Sequence, residues 1–117
     1  PAEPPAPAEE AFSEALNKAK KANPEKKIVI EAGNIAEALK FARLGADILQ
    51  LEKFPLSKLA DAVRILRADY PHITLIATGG ISARNIAEYA STGVDMIVTS
   101  SPYSAQSADI KVRIEPL

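Results

Sequence analysis

The chain has 117 residues, 47% of them hydrophobic, which is one domain's worth of sequence with enough apolar side chain to bury a core. Its formal net charge is -1 and its 14 Lys and Arg residues are scattered, which argues against a nucleic-acid-binding surface. The absence of cysteine excludes disulfides and zinc–thiolate sites. No apolar run approaches the ~20 residues of a membrane span and no signal-peptide pattern is present, so we expect a cytoplasmic protein without a membrane partner.

The start of the chain predicts an extended segment followed by a helix. Residues 1–8 hold four prolines and are interpreted as a linker or exposed loop, whereas residues 9–117 are interpreted as the folded domain. Glu9–Ala22 carries acids at its start and bases at its end, as the helix dipole favours. Three apolar positions share one face of this predicted helix: Phe12, Leu16 and Ala19.

A unit of helix and strand then occurs twice, 48 positions apart. The first copy begins at Asn34, which with Glu37 predicts a capping box, and its helix is expected to end at Gly45. In the second copy Ser82 is the predicted cap and Gly93 the predicted end of the helix. Each copy continues through an acidic turn into a short apolar strand, and this alternation is typical of βα units on a parallel sheet.

The remaining pattern completes an α/β fold. The strands are short, apolar on both faces and joined by helices, which predicts a parallel sheet that is covered on both sides. Four βα units make about half of a TIM-like α/β barrel, because a full barrel takes roughly 200 residues or more. The exposed sheet edges would then be covered by the rest of a larger protein or by association of copies. The predicted strands are Ile28–Ile30, Ile48–Leu51, Ile73–Ala77 and Met96–Val98, with a helix at Ser57–Tyr70 and an edge strand or terminal extension at Ile110–Ile114.

The ends of the strands carry the candidate chemistry, since the carboxyl ends of parallel strands meet on one side of a barrel. The loop Thr78-Gly79-Gly80 lets the backbone approach a ligand closely, and we expect it to enter a helix whose free N–H groups attract anions. Thr99-Ser100-Ser101 follows the next strand, and Pro102 suits the first turn of another short helix. Such paired loops predict a phosphate site; the alternative is a tight turn with ordinary capping.

Two carboxylates form a second candidate group. Glu31 and Glu52 end adjacent predicted strands, so both are expected in the same mouth of the barrel. They are suited to hold Mg²⁺ directly or through water, to accept sugar hydroxyls, or to stabilise a cationic, oxocarbenium-like transition state. The alternative is a pair of solvated acids at the sheet rim, one of them paired with Lys53. Three polar residues at the opposite ends of the strands are interpreted as surface or turn residues: Asp47, His72 and Asp95.

Several motifs together carry a family resemblance. Gly45-Ala46-Asp47-Ile48-Leu49-Gln50-Leu51-Glu52-Lys53, Thr78-Gly79-Gly80-Ile81 and Ala108-Asp109-Ile110-Lys111 resemble the C-terminal barrel half of the quinolinate phosphoribosyltransferase family. The resemblance covers about residues 26–117. Lys53 after Glu52 and the tail from Asp109 to Pro116 are more similar to the ModD branch, whose pyrophosphorylase-like members are associated with molybdate-transport operons.

The resemblance implies transfer of a phosphoribosyl group from phosphoribosyl pyrophosphate (PRPP) to a nitrogen heterocycle such as quinolinate, with Mg²⁺. By position, Glu31 and Glu52 would be the catalytic residues, contacting the ribose hydroxyls and the metal. The 5′-phosphate would be bound by Thr78, Gly79, Gly80, Thr99, Ser100 and Ser101. Family members assemble near their active sites, so the expected partner is a second copy or the N-terminal half of the same protein.

Three departures from the family pattern accompany these expectations. The family usually has Asp at Glu52, Gly at Ser100 and His at Ser104. The family's N-terminal domain and first barrel strands supply Arg, Lys and His residues that this chain lacks, so the resemblance predicts that this chain alone is inactive. Two alternatives stay open: another phosphate-binding barrel enzyme, such as an aldolase or synthase, with Lys53 as its lysine, and a non-catalytic, self-associating half-barrel.

Overall fold

A computed structural model of the chain describes residues 6–99. Helices and strands alternate along these residues: α1 Pro7–Ala22, β1 Ile30–Ala32, α2 Ile35–Arg43, β2 Ile48–Glu52, α3 Leu56–Asp69, β3 Thr74–Thr78, α4 Ile86–Ala90 and β4 Met96–Val98. The predicted strand at Ile110–Ile114 lies outside the described residues. Within residues 6–99, no helix has the length and apolar character needed to cross a bilayer.

The four strands form one parallel sheet in the order β1-β2-β3-β4. Leu49 of β2 lies between Ile30 of β1 and Leu75 of β3, and Ile76 of β3 pairs with Met96 of β4. Each strand therefore pairs with the next one in the chain, and a helix connects each pair. This arrangement confirms the predicted α/β class and the parallel sheet.

Helices pack on one face of this sheet, which we call the helix-packed face. Alternate strand residues and the inward side of α2 and α3 form one core cluster. The members from the strands are Ala32, Leu49, Leu51, Leu75 and Ala77, and those from α2 and α3 are Ala38, Ala42, Leu59, Ala62, Val63 and Leu66. Helices α2 and α3 both join the core of this single face. Strand residues on the other side of the sheet, among them Ile48 and Ile76, are buried as well, which agrees with the predicted cover on both sides.

The intervening strand residues point to the other side of the sheet, which we call the opposite face. Successive side chains of a strand alternate between the two faces, so this face follows directly from the core membership of their neighbours. It mixes apolar side chains with carboxylates, an amide and hydroxyls. Its members are Glu31, Ile48, Gln50, Glu52, Thr74, Ile76, Thr78, Met96 and Val98.

Helix α1 begins at Pro7, two residues before its predicted start and inside the segment interpreted as a linker. Proline suits the first helical position, because its missing N–H would have no intrahelical partner there. The N–H of Ala6 donates to Glu9 Oε1 at 3.2 Å, and Arg43 of α2 binds Glu9 Oε2 at 2.6 Å. The Ala6 hydrogen bond and then the Arg43 guanidinium lower the pKa of the Glu9 carboxyl. The ion pair of Glu9 with Arg43 links α1 to α2.

Several boundaries differ by one or two residues from those predicted. Strand β1 comprises Ile30–Ala32 rather than Ile28–Ile30, because its partners in β2 are Leu49 to Leu51. Helix α3 and strand β3 are each displaced by one residue, whereas β4 is confirmed at Met96–Val98.

The predicted cap of α2 is confirmed in one half only. Asn34 Oδ1 accepts from the N–H of Glu37 at 2.8 Å, as a helix cap should. Glu37 Oε1, however, accepts from the N–H of Gly33 at 2.8 Å rather than from that of Asn34. The Glu37 side chain thus ties the helix to the residue before its cap.

Helix α4 is much shorter than predicted and does not begin at Ser82. The Ser82 N–H donates to Asn85 Oδ1 at 2.8 Å, and Ser82 Oγ accepts from the N–H of Arg84 at 3.3 Å. Such local side-chain bonds compete with helix formation and favour a turn. Asn85 is therefore the residue that precedes α4, and a turn separates Gly80 from the helix.

Candidate functional site

The candidate carboxylates and the glycine loop lie at the carboxyl ends of adjacent strands. Glu52 of β2 pairs with Thr78 of β3, and Thr78 pairs with Val98 of β4. Glu31 pairs with Gln50, two residues before Glu52. Because paired residues of parallel strands point to the same side, Glu31, Glu52 and Thr78 share the opposite face. Glu31 lies two residues nearer the strand starts than Glu52.

A buried amide is the neighbour of both carboxylates, because Gln50 pairs with Glu31 and precedes Glu52 by two residues in β2. Gln50 and Thr78 are the buried polar residues of the part of the chain that the structure describes, with 8% and 6% of their surface exposed. Glu31 is exposed and Glu52 is half-buried. Gln50 was not predicted as a site residue, although a polar residue inside the apolar strand Ile48–Leu51 was a usable signal.

The loop after β3 closes tightly on the end of β2. The N–H of Lys53 donates to the Thr78 carbonyl at 2.8 Å. A Cβ at Gly79 would lie 2.5 Å from Lys53 Cγ and 3.0 Å from Glu52 Oε1, and the φ of Gly79 is 90°. Only glycine fits both the conformation and the space, so Gly79 brings the loop backbone against the Glu52 carboxylate.

Two side chains anchor the remainder of the loop. Ile81 is 1% exposed and belongs to the core cluster. The Asn85 amide donates to the Gly80 carbonyl at 3.0 Å and accepts from the Ser82 N–H at 2.8 Å. Nothing lies within 4 Å of a Cβ built on Gly80. These two side chains therefore hold the loop on one side, and the side towards the Gly80 Cβ position is open. Asn85 was not predicted to stabilise the loop; the spacing Ser82-x-x-Asn85 was its only signal in the sequence.

The second predicted phosphate loop is described only in part. Thr99 directly follows β4 and is exposed. Ser100, Ser101 and Pro102 lie outside the described residues. The predicted helix start behind Gly80 is wrong, because a turn comes first and α4 has only five residues. Any anion at the Gly79-Gly80 loop would therefore be bound by loop backbone rather than by a helix dipole.

The residues at the other ends of the strands have partners within the fold. Asp47 is 2.8 Å from Lys20 Nζ, and Asp95 is 2.8 Å from an Arg67 nitrogen. His72 is exposed. The interpretation of these residues as turn and surface residues agrees with this placement.

The described residues offer few ligands for a metal ion. Across residues 6–99, no three or more His, Asp or Glu side chains are grouped as a metal site would require. Glu31 and Glu52 supply carboxylate oxygens from neighbouring strands. Mg²⁺ keeps several waters and takes further oxygens from substrate phosphates, so two carboxylates fit it better than they fit an ion that needs a complete protein cage.

Comparison with known proteins agrees with this geometry. Residues 8–113 match the family model for the quinolinate phosphoribosyl transferase C-terminal domain. The chain is 40% identical over 105 residues to a protein of Escherichia coli O157:H7 named as pyrophosphorylase ModD, covering 90% of this chain and 37% of that protein. It is 35% identical over 94 residues to a protein of Archaeoglobus fulgidus named as a carboxylating nicotinate-nucleotide pyrophosphorylase, covering 76% of this chain and 36% of that protein.

A solved structure shares the fold. The nicotinate-nucleotide pyrophosphorylase of Francisella tularensis matches with a TM-score of 0.63 and 32% identity, over 74% of this chain and 30% of that one. A parallel sheet whose strands pair in chain order, with a helix between successive strands, defines an α/β domain of the kind found in these enzymes. The chain belongs to the quinolinate phosphoribosyltransferase family, whose C-terminal domain it matches. It spans a little over a third of the length of these curated relatives, at 37% and 36%.

Proposed function

We propose that this chain binds PRPP and contributes to the transfer of its phosphoribosyl group to a nitrogen of a heterocyclic acid such as quinolinate. The observation that carries the proposal is the close approach of the Gly79-Gly80 loop to Glu52. A phosphate on this loop would place the attached ribose beside a carboxylate. Membership of the family supports the same reaction class.

The loop residues bind the phosphate, and the carboxylates contact the ribose. The backbone N–H groups of the loop Thr78-Gly79-Gly80, together with Thr99, Ser100 and Ser101, bind the 5′-phosphate. Glu31 and Glu52 accept hydrogen bonds from the ribose hydroxyls. As the bond from ribose C1 to pyrophosphate breaks and the bond to the acceptor nitrogen forms, positive charge develops on the sugar. The two carboxylates stabilise that charge from fixed positions on the sheet.

Mg²⁺ fits the same carboxylates. Glu31 and Glu52 would hold the ion directly or through water, and the bound ion would supply neutralisation of the leaving pyrophosphate. The sheet itself holds the two carboxylates on adjacent strands, with a register offset of two residues between them. That spacing follows from the pairing of Glu31 with Gln50.

Calorimetric titration with PRPP, with and without Mg²⁺, tests the proposal. We expect saturable, Mg²⁺-dependent binding that Glu31→Gln and Glu52→Gln each weaken about tenfold, because each loses a charged acceptor for a hydroxyl. Glu25→Gln is the matched control, since Glu25 is exposed in the turn before β1 and makes the same change in charge. A folded wild-type chain, shown by circular dichroism, that does not bind PRPP would refute the proposal.

A further inference from the structure

Lys53 has an unusual backbone conformation at the end of β2. Its φ is 56°, and it is the non-glycine residue with a positive φ among residues 6–99. The left-handed region is unfavourable for a residue with a Cβ, and residues held there often belong to functional sites. Glycine or asparagine would adopt this conformation more readily, which indicates that the lysine side chain has a role at this position.

The neighbouring strand holds Lys53 in this conformation. Its N–H donates to the Thr78 carbonyl at 2.8 Å, which extends the pairing of β2 and β3 beyond Glu52. Its Cγ lies 2.5 Å from the position that a Cβ of Gly79 would take. The stem of the lysine thus lies against Gly79, in the space that a side chain at that position would need.

The charge of Lys53 has no partner in the described part of the chain. No ion pair or hydrogen bond of its ammonium occurs there, although Glu52 is the preceding residue. At the other ends of the strands, by contrast, Lys20 and Arg67 are each paired with an aspartate. Lys53 is exposed, so its ammonium is an uncompensated cation on a side chain whose stem lies against Gly79.

We propose that Lys53 is a phosphate ligand, and that its ammonium binds the phosphate monoester held by the Gly79-Gly80 backbone. This inference rests on the proposed function and assigns it a residue of its own. Neutral backbone N–H groups bind a phosphate dianion without neutralising it, whereas a lysine beside them adds a positive charge and up to three donors. The strained backbone conformation holds the stem of Lys53 against Gly79, which brings its ammonium within reach of a phosphate on this loop.

Three substitutions at Lys53 separate the effect of its charge from the effect of its backbone conformation. Lys53→Met keeps a long stem and removes the charge, whereas Lys53→Arg keeps the charge. Lys53→Gly removes both the charge and the unfavourable φ, so the folded chain should keep its thermal stability while it loses the ligand. Lys58→Met is the matched control, since Lys58 is an exposed lysine in the first turn of α3.

The amide signals of Gly79 and Gly80 in NMR titrations report on the loop directly. Ribose 5-phosphate and inorganic pyrophosphate are titrated separately into each variant, and PRPP binding is measured by calorimetry. We expect Lys53→Met and Lys53→Gly to weaken ribose 5-phosphate binding about tenfold, in proportion to the loss of one charge-assisted hydrogen bond. Lys53→Arg should bind within a few-fold of wild type, and Lys58→Met should equal it.

Each other outcome overturns the inference in a distinguishable way. If wild type binds PRPP and Lys53→Met binds ribose 5-phosphate equally well, Lys53 is not a ligand of the monoester, and the proposed function stands. Loss of pyrophosphate binding alone would assign the lysine to the leaving group and reject the monoester. A folded wild-type chain that binds none of the three compounds rejects both proposals.

Discussion

Gly79 is the residue on which the geometry of the loop depends. A side chain there would meet the Lys53 backbone nitrogen at 2.9 Å as well as Lys53 Cγ at 2.5 Å. We expect Gly79→Ala to destabilise the chain by roughly 2–3 kcal/mol, from the left-handed φ and from the displacement of the β2 end. Urea unfolding followed by circular dichroism measures the loss.

Gly80→Ala is the matched control for this prediction. Its φ is 73°, and no atom lies within 4 Å of the added Cβ, so only the conformational cost applies. We expect a loss of about 1 kcal/mol for this variant. Equal losses in the two variants would mean that the contact with Lys53 contributes nothing.

For single residues, the sequence predicted which residues belong to the site better than it predicted the contacts that they make. The pair Gly79-Gly80 was recognisable as a loop that needs glycine, because the dipeptide follows an apolar strand. The strained φ of Lys53 and the clamp by Asn85 were not predictable, because both depend on atoms brought together from different segments. Gly79 and Lys53 are far apart in sequence and meet only once β2 and β3 have paired.

Among the elements, the internal repeat includes a clamp between a helix and a turn. Lys20 of α1 binds the Gly45 carbonyl at 2.6 Å and the Asp47 carboxylate at 2.8 Å. Arg67 of α3 binds the Gly93 carbonyl at 3.1 Å and the Asp95 carboxylate at 2.8 Å. Helix α1 is thus placed against the turn before β2 as α3 is placed against the turn before β4.

Arg67 should be the stronger of the two clamps, because it also donates to the Ile73 carbonyl at 2.9 Å and thereby joins the starts of β3 and β4. We expect Arg67→Met to cost about 1–2 kcal/mol in urea unfolding, since Ile73, whose carbonyl it binds, is buried and the Arg67–Asp95 pair is about one third exposed, at 31% and 36%. Arg64→Met is the control: its pair with Asp61 is 73% and 63% exposed, and the expected loss is within about 0.5 kcal/mol. Equal losses for the two arginines would contradict this role of Arg67.

The same repeat also explains the largest error in the predicted elements. The copy that begins at Asn34 has a helix from Ile35, so the copy at Ser82 was expected to have one from residue 83. In the second copy the side chain of Asn85 offers the Ser82 N–H a local partner, and a turn replaces the first helical turn. Periodicity of apolar residues cannot detect this competition, because it arises from two polar side chains.

For the whole molecule, the class of fold was predictable because short apolar strands separated by single helices allow few arrangements. The order β1-β2-β3-β4 follows from that rhythm. The distribution of helices was not predictable from strands that are apolar on both faces. Ile48 and Ile76 are buried on the opposite face as fully as many core residues, at 7% and 1% exposure, although they are absent from the core cluster of the helix-packed face.

Turnover by the chain depends on how well its proposed site excludes water. Of the proposed site residues, Glu31, Gly80 and Thr99 are exposed to water. Fixed charges stabilise a developing charge far more strongly where water is excluded. We therefore expect the chain to bind PRPP without transferring its phosphoribosyl group, so that pyrophosphate release with quinolinate and Mg²⁺ stays at the rate without protein.

A coupled pyrophosphate assay measures this rate, with a full-length nicotinate-nucleotide pyrophosphorylase as the positive control. Sedimentation velocity under the same conditions establishes whether the chain acts as one copy or as an assembly, which the edge strands β1 and β4 of the described sheet would favour. Quinolinate-dependent release that Glu52→Gln abolishes would contradict the prediction. It would also mean that this chain, alone or in a symmetric pair, is sufficient for the reaction.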